Sequence, residues 1–457
     1  ALGDRFGRKG ALTIGLIIFG SASAISALAT SPSQLIVTRA AMGVGAALIM
    51  PATLSILANV FPPNERARAI GIWAGLSGAG AAIGPIAGGY LLGHFWWGSV
   101  FLLNVPIVII ALIGGRMLVP TSKDPSQAPL DPVGALLSIA GLGALLYAII
   151  EAPIHGWTDT VTIGGFIVAA VFLLAFARWE FRSDHPMLDL RLFKNRQFSA
   201  ASGSITLVFF AMFGTFFLLT QYLQLVLGYT ALQAGVRLLP MAITLMIVAP
   251  QSAKFVERFT HRRVVAAGLL IVAIGLGLFS TFGVSTGYLL IAASLVVMAF
   301  GMSLTMPPST TAIMASLPLR KAGVGSAVND TTRELGGALG VAVLGSLAVS
   351  HYSSGIASAL AGLPGTAAEV ATSSLGGALQ VAQEIGGPAG SALALAARTS
   401  FVDAAGIALL IGSVVVAAAS LMVWIFFPAG EVAHGHGPEE AAPVVDPSLE
   451  ELSLERG

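Results

Sequence analysis

Residues 4–18 read Asp-Arg-Phe-Gly-Arg-Lys-Gly-Ala-Leu-Thr-Ile-Gly-Leu-Ile-Ile, and residues 257–271 read Glu-Arg-Phe-Thr-His-Arg-Arg-Val-Val-Ala-Ala-Gly-Leu-Leu-Ile. The two align without gaps. Acid, Arg and Phe coincide, Gly15 falls on Gly268, and each copy passes from a charged loop into an apolar run. A bilayer-crossing helix needs about 20 mostly apolar residues, so one unit, a charged loop feeding a membrane helix, is written twice. Both copies start from the same kind of loop, which predicts parallel repeats related by an axis along the membrane normal.

Working outward, twelve stretches are long and apolar enough to span: 12–29, 34–56, 69–92, 97–118, 132–150, 160–178, 198–226, 232–253, 264–283, 287–306, 326–349 and 402–427. The prediction is an all-α polytopic membrane protein. Composition agrees, because the 457 residues are 56% hydrophobic and 10% charged with a mean hydropathy of +0.87, whereas soluble chains carry about 25% charged residues. The 54 glycines suit close helix packing in lipid. A net charge of +1 excludes a nucleic-acid partner. The absence of cysteine excludes disulfides, thiolate metal sites and cysteine nucleophiles. His434 and His436 lie in a tail without further ligands, so no metal or other cofactor is expected.

The connections alternate in charge. Loops 1–11, 57–68, 116–131, 178–197, 254–263 and 307–325 plus the tail hold 19 of the 23 Lys and Arg residues, and the opposite loops hold only Arg398. By the positive-inside rule the first set is cytoplasmic, which puts both ends in the cytoplasm and the protein in the cytoplasmic membrane. Arg39, Arg237 and Arg333 fall within predicted spans. Residues 350–400, rich in Ala, Gly and Ser, read as a long external loop with room for a short helix. The tail 428–457, with seven acids against one Arg, reads as disordered. The chain divides into 1–118, the remainder of a first helical bundle; 119–197, two linking membrane helices and a cytoplasmic loop; and 198–427, a second bundle.

Four groups of residues have the types and positions that chemistry needs. Asp4, Arg5, Gly7, Arg8 and Lys9 place an acid among cations at a helix boundary, where it can latch one bundle to another. Gly80, Gly84 and Gly88 recur every four residues beside Pro85 and Gly89, making a flat stripe for close packing and a point for a bend. Arg39 is an ionisable group inside a span, which is costly and marks function; Asp330, Arg333 and Glu334 fall near the cytoplasmic start of one, where a solvated place at headgroup level and a proton relay are both open readings. Asp330 and Arg333, three apart, can pair. Phe209, Phe213, Phe216 and Phe217 with Gln221 and Gln224 set amides on an aromatic wall suited to a lipophilic molecule.

These motifs resemble a known family. Leu2, Asp4, Arg5, Gly7, Arg8 and Lys9 match the loop signature Gly-x-Leu-Ala-Asp-Arg-x-Gly-Arg-Lys of the major facilitator superfamily. Gly80-x3-Gly84-Pro85-x2-Gly88-Gly89 looks like its antiporter signature, and Arg39-x3-Gly43-x-Gly45 resembles one whose Arg is linked to proton transfer. Residues 101–107, 217–240 and 323–346 are similar to segments of the fourteen-helix drug:proton antiporters, with Gly98 departing from that family's usual Arg. The resemblance implies a major facilitator fold: two bundles plus two linking helices, with the first two helices and the first helix's coupling acid lying upstream of residue 1. It also implies alternating access, protons and small lipophilic compounds as partners, and a functional monomer. A dedicated exporter of a lipid or secondary metabolite is the alternative. No Gly-Lys-Ser or Gly-Lys-Thr phosphate loop and no His-Glu-x-x-His zinc motif occurs, which argues against an ATP pump; an intramembrane enzyme or an ion channel, for which no filter loop is signalled, is the less favoured reading.

Overall fold

A computed structural model of the protein describes residues 7–61, 80, 83–120, 131–183, 186, 188, 190–317 and 322–427. Every regular element among the described residues is a helix. In chain order the helices are α1 (Arg8–Ser26), α2 (Pro32–Val60), α3 (83–94), α4 (Asn104–Leu118), α5 (Pro132–His155), α6 (Thr160–Arg182) and α7 (Arg196–Gln221). Then come α8 (Ala231–Arg237), α9 (Leu239–Val248), α10 (Ser252–Phe259), α11 (His261–Phe279) and α12 (Tyr288–Ala315). The chain ends with α13 (Ala322–Ile356), α14 (Gly365–Ser373), α15 (Leu375–Ile385) and α16 (Gly387–Phe426). Among the described residues eleven segments are long and apolar enough to cross a membrane. Most of the expected span 69–92 lies outside the described residues, and its described end is α3.

One expected span is present but broken along its length, and one expected loop is corrected. The span expected at 232–253 is three helical pieces, because Pro240 and Pro250 cannot donate to the carbonyl four residues earlier. The first break falls at Leu238, and the second is a 3₁₀ turn at Ala249–Gln251. The region 350–400 is not a loop with one short helix. α13 runs on to Ile356, α14 and α15 follow, and α16 already starts at Gly387. Tyr352 ties these pieces together, its hydroxyl donating to the carbonyls of Ala371 (3.0 Å) and Ser374 (3.3 Å).

The repeat is visible as packing. α1 crosses α2 where a Cβ on Gly15 would stand 2.9 Å from the Gly45 carbonyl oxygen and one on Gly45 2.8 Å from that of Gly15. α11 crosses α12 in the same way, Gly268 against Gly301 at 2.8 Å and 2.6 Å. Only glycine permits backbones this close. Each second helix then carries a proline at the same distance beyond its glycine, Pro51 and Pro307. Gly7 and Thr260, aligned in sequence, are the N-caps of α1 and α11, with φ 103° and 74°. The main buried cluster lies in the second half, among α7, α11, α12, α13 and α16. There Ser413 and Ser420 of α16 each donate at 2.7 Å to α11 carbonyls, Ala273 and Ala266. The linking pair α5 and α6 docks through α5 on α13, where Ser346 donates to Ile149 at 2.7 Å.

Candidate functional site

A cavity of about 710 Å³ opens where the broken helix α8–α9 faces α3 and α7. α7 contributes Met212, Phe216 and Thr220, with Leu223 and Gln224 from the π turn Tyr222–Val226 that ends it. These residues follow helical spacing, so one face of α7 is one wall. α8, α9 and the breaks that follow each contribute a second, including Ala234, Leu238, Met241, Leu245, Ala249 and Pro250. α3 gives Pro85, Gly88, Gly89 and Leu92, and α12 gives Pro307. Among the described residues, Thr220 and Gln224 are the polar side chains of the lining, and no ionisable side chain is among it. Three methionines, Met212, Met241 and Met246, supply flexible, polarizable surface that moulds to ligands of different shape. A pocket of this size and polarity fits a drug-sized lipophile. Among the described residues no group of three or more His, Asp or Glu side chains gathers that could hold a metal.

At one end of this cavity the two halves of the chain touch backbone to backbone. A Cβ on Gly89 would stand 2.6 Å from the Ala231 carbonyl oxygen, and one on Gly235 would stand 2.5 Å from that of Pro85. The contact lies at the membrane face opposite the Lys- and Arg-rich loops, called here the far face. α7 starts at such a loop and reaches the far face before α8 begins.

Two membrane-helix repeats around an apolar cavity coincide with a match to the family model Major Facilitator Superfamily over residues 1–341. The chain belongs to the Major Facilitator Superfamily. It is 37% identical over 428 residues to the multidrug efflux pump LfrA of Mycolicibacterium smegmatis, covering 93% of this chain and 84% of that protein. It is 34% identical over 418 residues to the methyl viologen resistance protein SmvA of Salmonella typhimurium, covering 90% of this chain and 83% of that one. Among solved structures, a bacterial homolog of the human lysosomal transporter Spinster, inward-facing and unoccupied, superposes with TM-score 0.55 at 18% identity, over 93% of this chain and 85% of that one. At that identity the likeness concerns the fold.

The superfamily's signature residues take distinct places. Asp4 and Arg5 lie outside the described residues. Gly7 turns the chain into α1, and Lys9 Nζ donates to the carbonyls of Arg116 (2.9 Å) and Val119 (2.7 Å), capping the C-terminal end of α4 within the same half. A cation there also meets the negative end of the helix dipole. Arg39 is exposed on α2, its guanidinium 5.9 Å from the centre of the Phe101 ring. Asp330, Arg333 and Glu334 follow one another along α13, but the expected Asp330–Arg333 ion pair is absent. Arg333 turns to Thr310 (3.5 Å) and the Phe209 ring, while Asp330 accepts from Asn329. Glu334 is exposed.

Among the described residues nothing stands within 4 Å of a Cβ on Gly80, Gly84 or Gly88, and the tight contact falls on Gly89. Of the expected aromatic wall, Gln224 lines the cavity together with Phe216, whereas Phe213, Phe217 and Gln221 are not in its lining. Phe213 and Phe217 pack against Gly337 and Gly345 of α13. The position of Gly98, the departure from the family, leaves no room for a side chain, since a Cβ would strike the Ala27 carbonyl and the Trp96 ring nitrogen. One further motif, Gly283-Val284-Ser285-Thr286-Gly287, has the spacing of a hydrolase elbow but lacks its strand and turn. It joins α11 to α12, with Thr286 Oγ1 accepting from the Gly283 N–H at 2.7 Å.

Proposed function

We propose that this member of the superfamily expels lipophilic, often cationic, compounds across the cytoplasmic membrane in exchange for protons. It does so by alternating access, as a monomer with both ends in the cytoplasm, and moves its substrate without altering it. The observation that carries this is the 710 Å³ cavity, which is walled by both halves, almost wholly apolar and rich in methionine. Such a wall binds by shape and desolvation, which suits unlike lipophiles better than one polar metabolite. The names of the relatives, an efflux pump and a resistance protein, fit this use. Arg39, Asp330 and Glu334 are the proposed proton-coupling groups, being ionisable and set in spanning helices.

The test is reconstitution in liposomes with an imposed pH gradient and a lipophilic fluorescent dye. Dye should move against its gradient while the pH difference lasts and stop on adding a protonophore. Movement indifferent to the protonophore would rule out proton coupling. Orientation is read separately, because the chain has no cysteine. Single cysteines at Ser122 and Ser374 should label from inside and outside respectively.

A further inference from the structure

The sequence 217–240 matched family segments, yet its one cation, Arg237, has no part in the cavity. Arg237 ends α8, and its guanidinium carbon lies 3.8 Å from the centre of the Tyr229 ring and 5.5 Å from that of Tyr288. Its Nη1 donates to the Gln233 carbonyl at 3.2 Å, and its own carbonyl accepts from the Tyr288 hydroxyl at 3.2 Å. Its Nε is buried without a partner. Among the described residues the charge is therefore held by two ring faces rather than by an acid, a geometry in which partial desolvation strengthens the attraction.

At 3.6 residues per turn, Arg237 lies about 200° around α8 from Gly235, on the opposite side. Ala231 and Gly235, four apart, share the side that touches Gly89 and Pro85 of α3. α8 is seven residues long and breaks from α9 at Leu238, so its own helical bonds do not hold it in line with the rest of the span. Its first turn is fixed by the reciprocal bonds of Thr230 and Gln233. The anchor at its last turn is the clasp of Tyr229 and Tyr288 on Arg237, and Tyr288 is the first residue of α12.

We infer that Arg237, clasped between Tyr229 and Tyr288, is a positioning residue that holds α8 against α3 and so keeps the far-face gate of the cavity shut. This rests on the alternating-access proposal above. Releasing the clasp frees α8 to swing at Leu238, which opens the Gly89–Ala231 and Pro85–Gly235 contacts without disturbing the cavity wall on α9.

The experiment uses a single cysteine at Thr220, on the exposed cavity face of α7, in the full chain in liposomes, with a membrane-impermeant maleimide applied to one face at a time. In the parent, labelling should come from the face bearing the Lys- and Arg-rich loops and be slow from the far face. Arg237→Ala, Tyr229→Leu and Tyr288→Leu should each raise the far-face rate roughly five- to tenfold. Arg237→Lys, which keeps a cation between the rings, should raise it less, and Tyr288→Phe should stay near the parent. A far-face rate unchanged in Arg237→Ala and Tyr229→Leu would overturn the clasp. A rate raised equally by Arg237→Lys and Arg237→Ala would also overturn it, since the loss would then follow the side chain's shape and not its charge. Equal labelling of the parent from both faces would instead sink alternating access, and the clasp with it.

Discussion

The glycines of α3 and α13 are spaced alike and packed differently. Gly80, Gly84 and Gly89 of the first half stand as Gly336, Gly340 and Gly345 do in the second, each 256 residues later. In α13, Gly336 and Gly340 lie against the backbone carbonyls of Thr206 and Phe210, so α7 is seated along them. In the first half, among the described residues, Gly80 and Gly84 meet nothing and Gly89 alone of the three makes a tight contact, with the other half of the chain. A small-residue stripe therefore does not name its partner. In one half it builds a bundle, and in the other it closes a gate.

The sharpest way to break this comparison is to fill the two stripes in turn. Gly340→Leu forces a side chain onto the Phe210 carbonyl and should cost at least about 3 kcal/mol, which would be read as loss of monodisperse protein. Gly84→Leu should leave thermal stability within about 0.5 kcal/mol of the parent. Equal damage from both would mean that the first stripe is also covered. Next comes the contact between the halves. Gly235→Leu should leave insertion and melting temperature near normal yet reduce gradient-driven dye movement roughly tenfold, because α8 can no longer reach the Pro85 carbonyl. Undiminished transport would show that this contact does not close during the cycle.

The paired corners sharpen the comparison further. Thr260 is a β-branched residue at φ 74°, where its counterpart is a glycine at φ 103°. Thr260→Gly should raise stability by about 1 kcal/mol, and Gly7→Thr should lower it by 1–2 kcal/mol. The opposite signs in a thermal melt would place the strain elsewhere. The smallest effect belongs to the bonds between α16 and α11. Ser420→Ala should cost about 0.6 kcal/mol, the average for such bonds in membranes.

Much of this was legible in the residues, for a physical reason: a lipid environment makes hydropathy decisive, and the repeat at 4–18 and 257–271 is local. A second repeat escaped notice. Gly45, Leu48, Met50 and Pro51 recur as Gly301, Leu304, Met306 and Pro307, but at an offset of 256 residues instead of the 253 between Gly15 and Gly268. The second copy has three more residues between its helices, so no ungapped alignment finds both. The helices within 350–400 were hidden because Ala, Gly and Ser give little hydropathy contrast. The choice among Phe209, Phe213, Phe216 and Phe217 was hidden because an aromatic stripe does not say which side faces a neighbour. Gly337 and Gly345, far away in sequence, take Phe213 and Phe217 and leave Phe216 to the cavity.

α16 is 40 residues long, about 60 Å at 1.5 Å per residue, twice the thickness of a bilayer core. Its first turns pack on α15, where Gly390 lies against the Ala382 carbonyl. With α14, α15 and the end of α13 they form a packed turret, which we propose stands in water on a single side of the membrane. Detergent belts hide most of a small transporter from an electron microscope and leave little to orient the particles. This one brings its own rigid landmark outside the belt, in continuous register with a spanning helix.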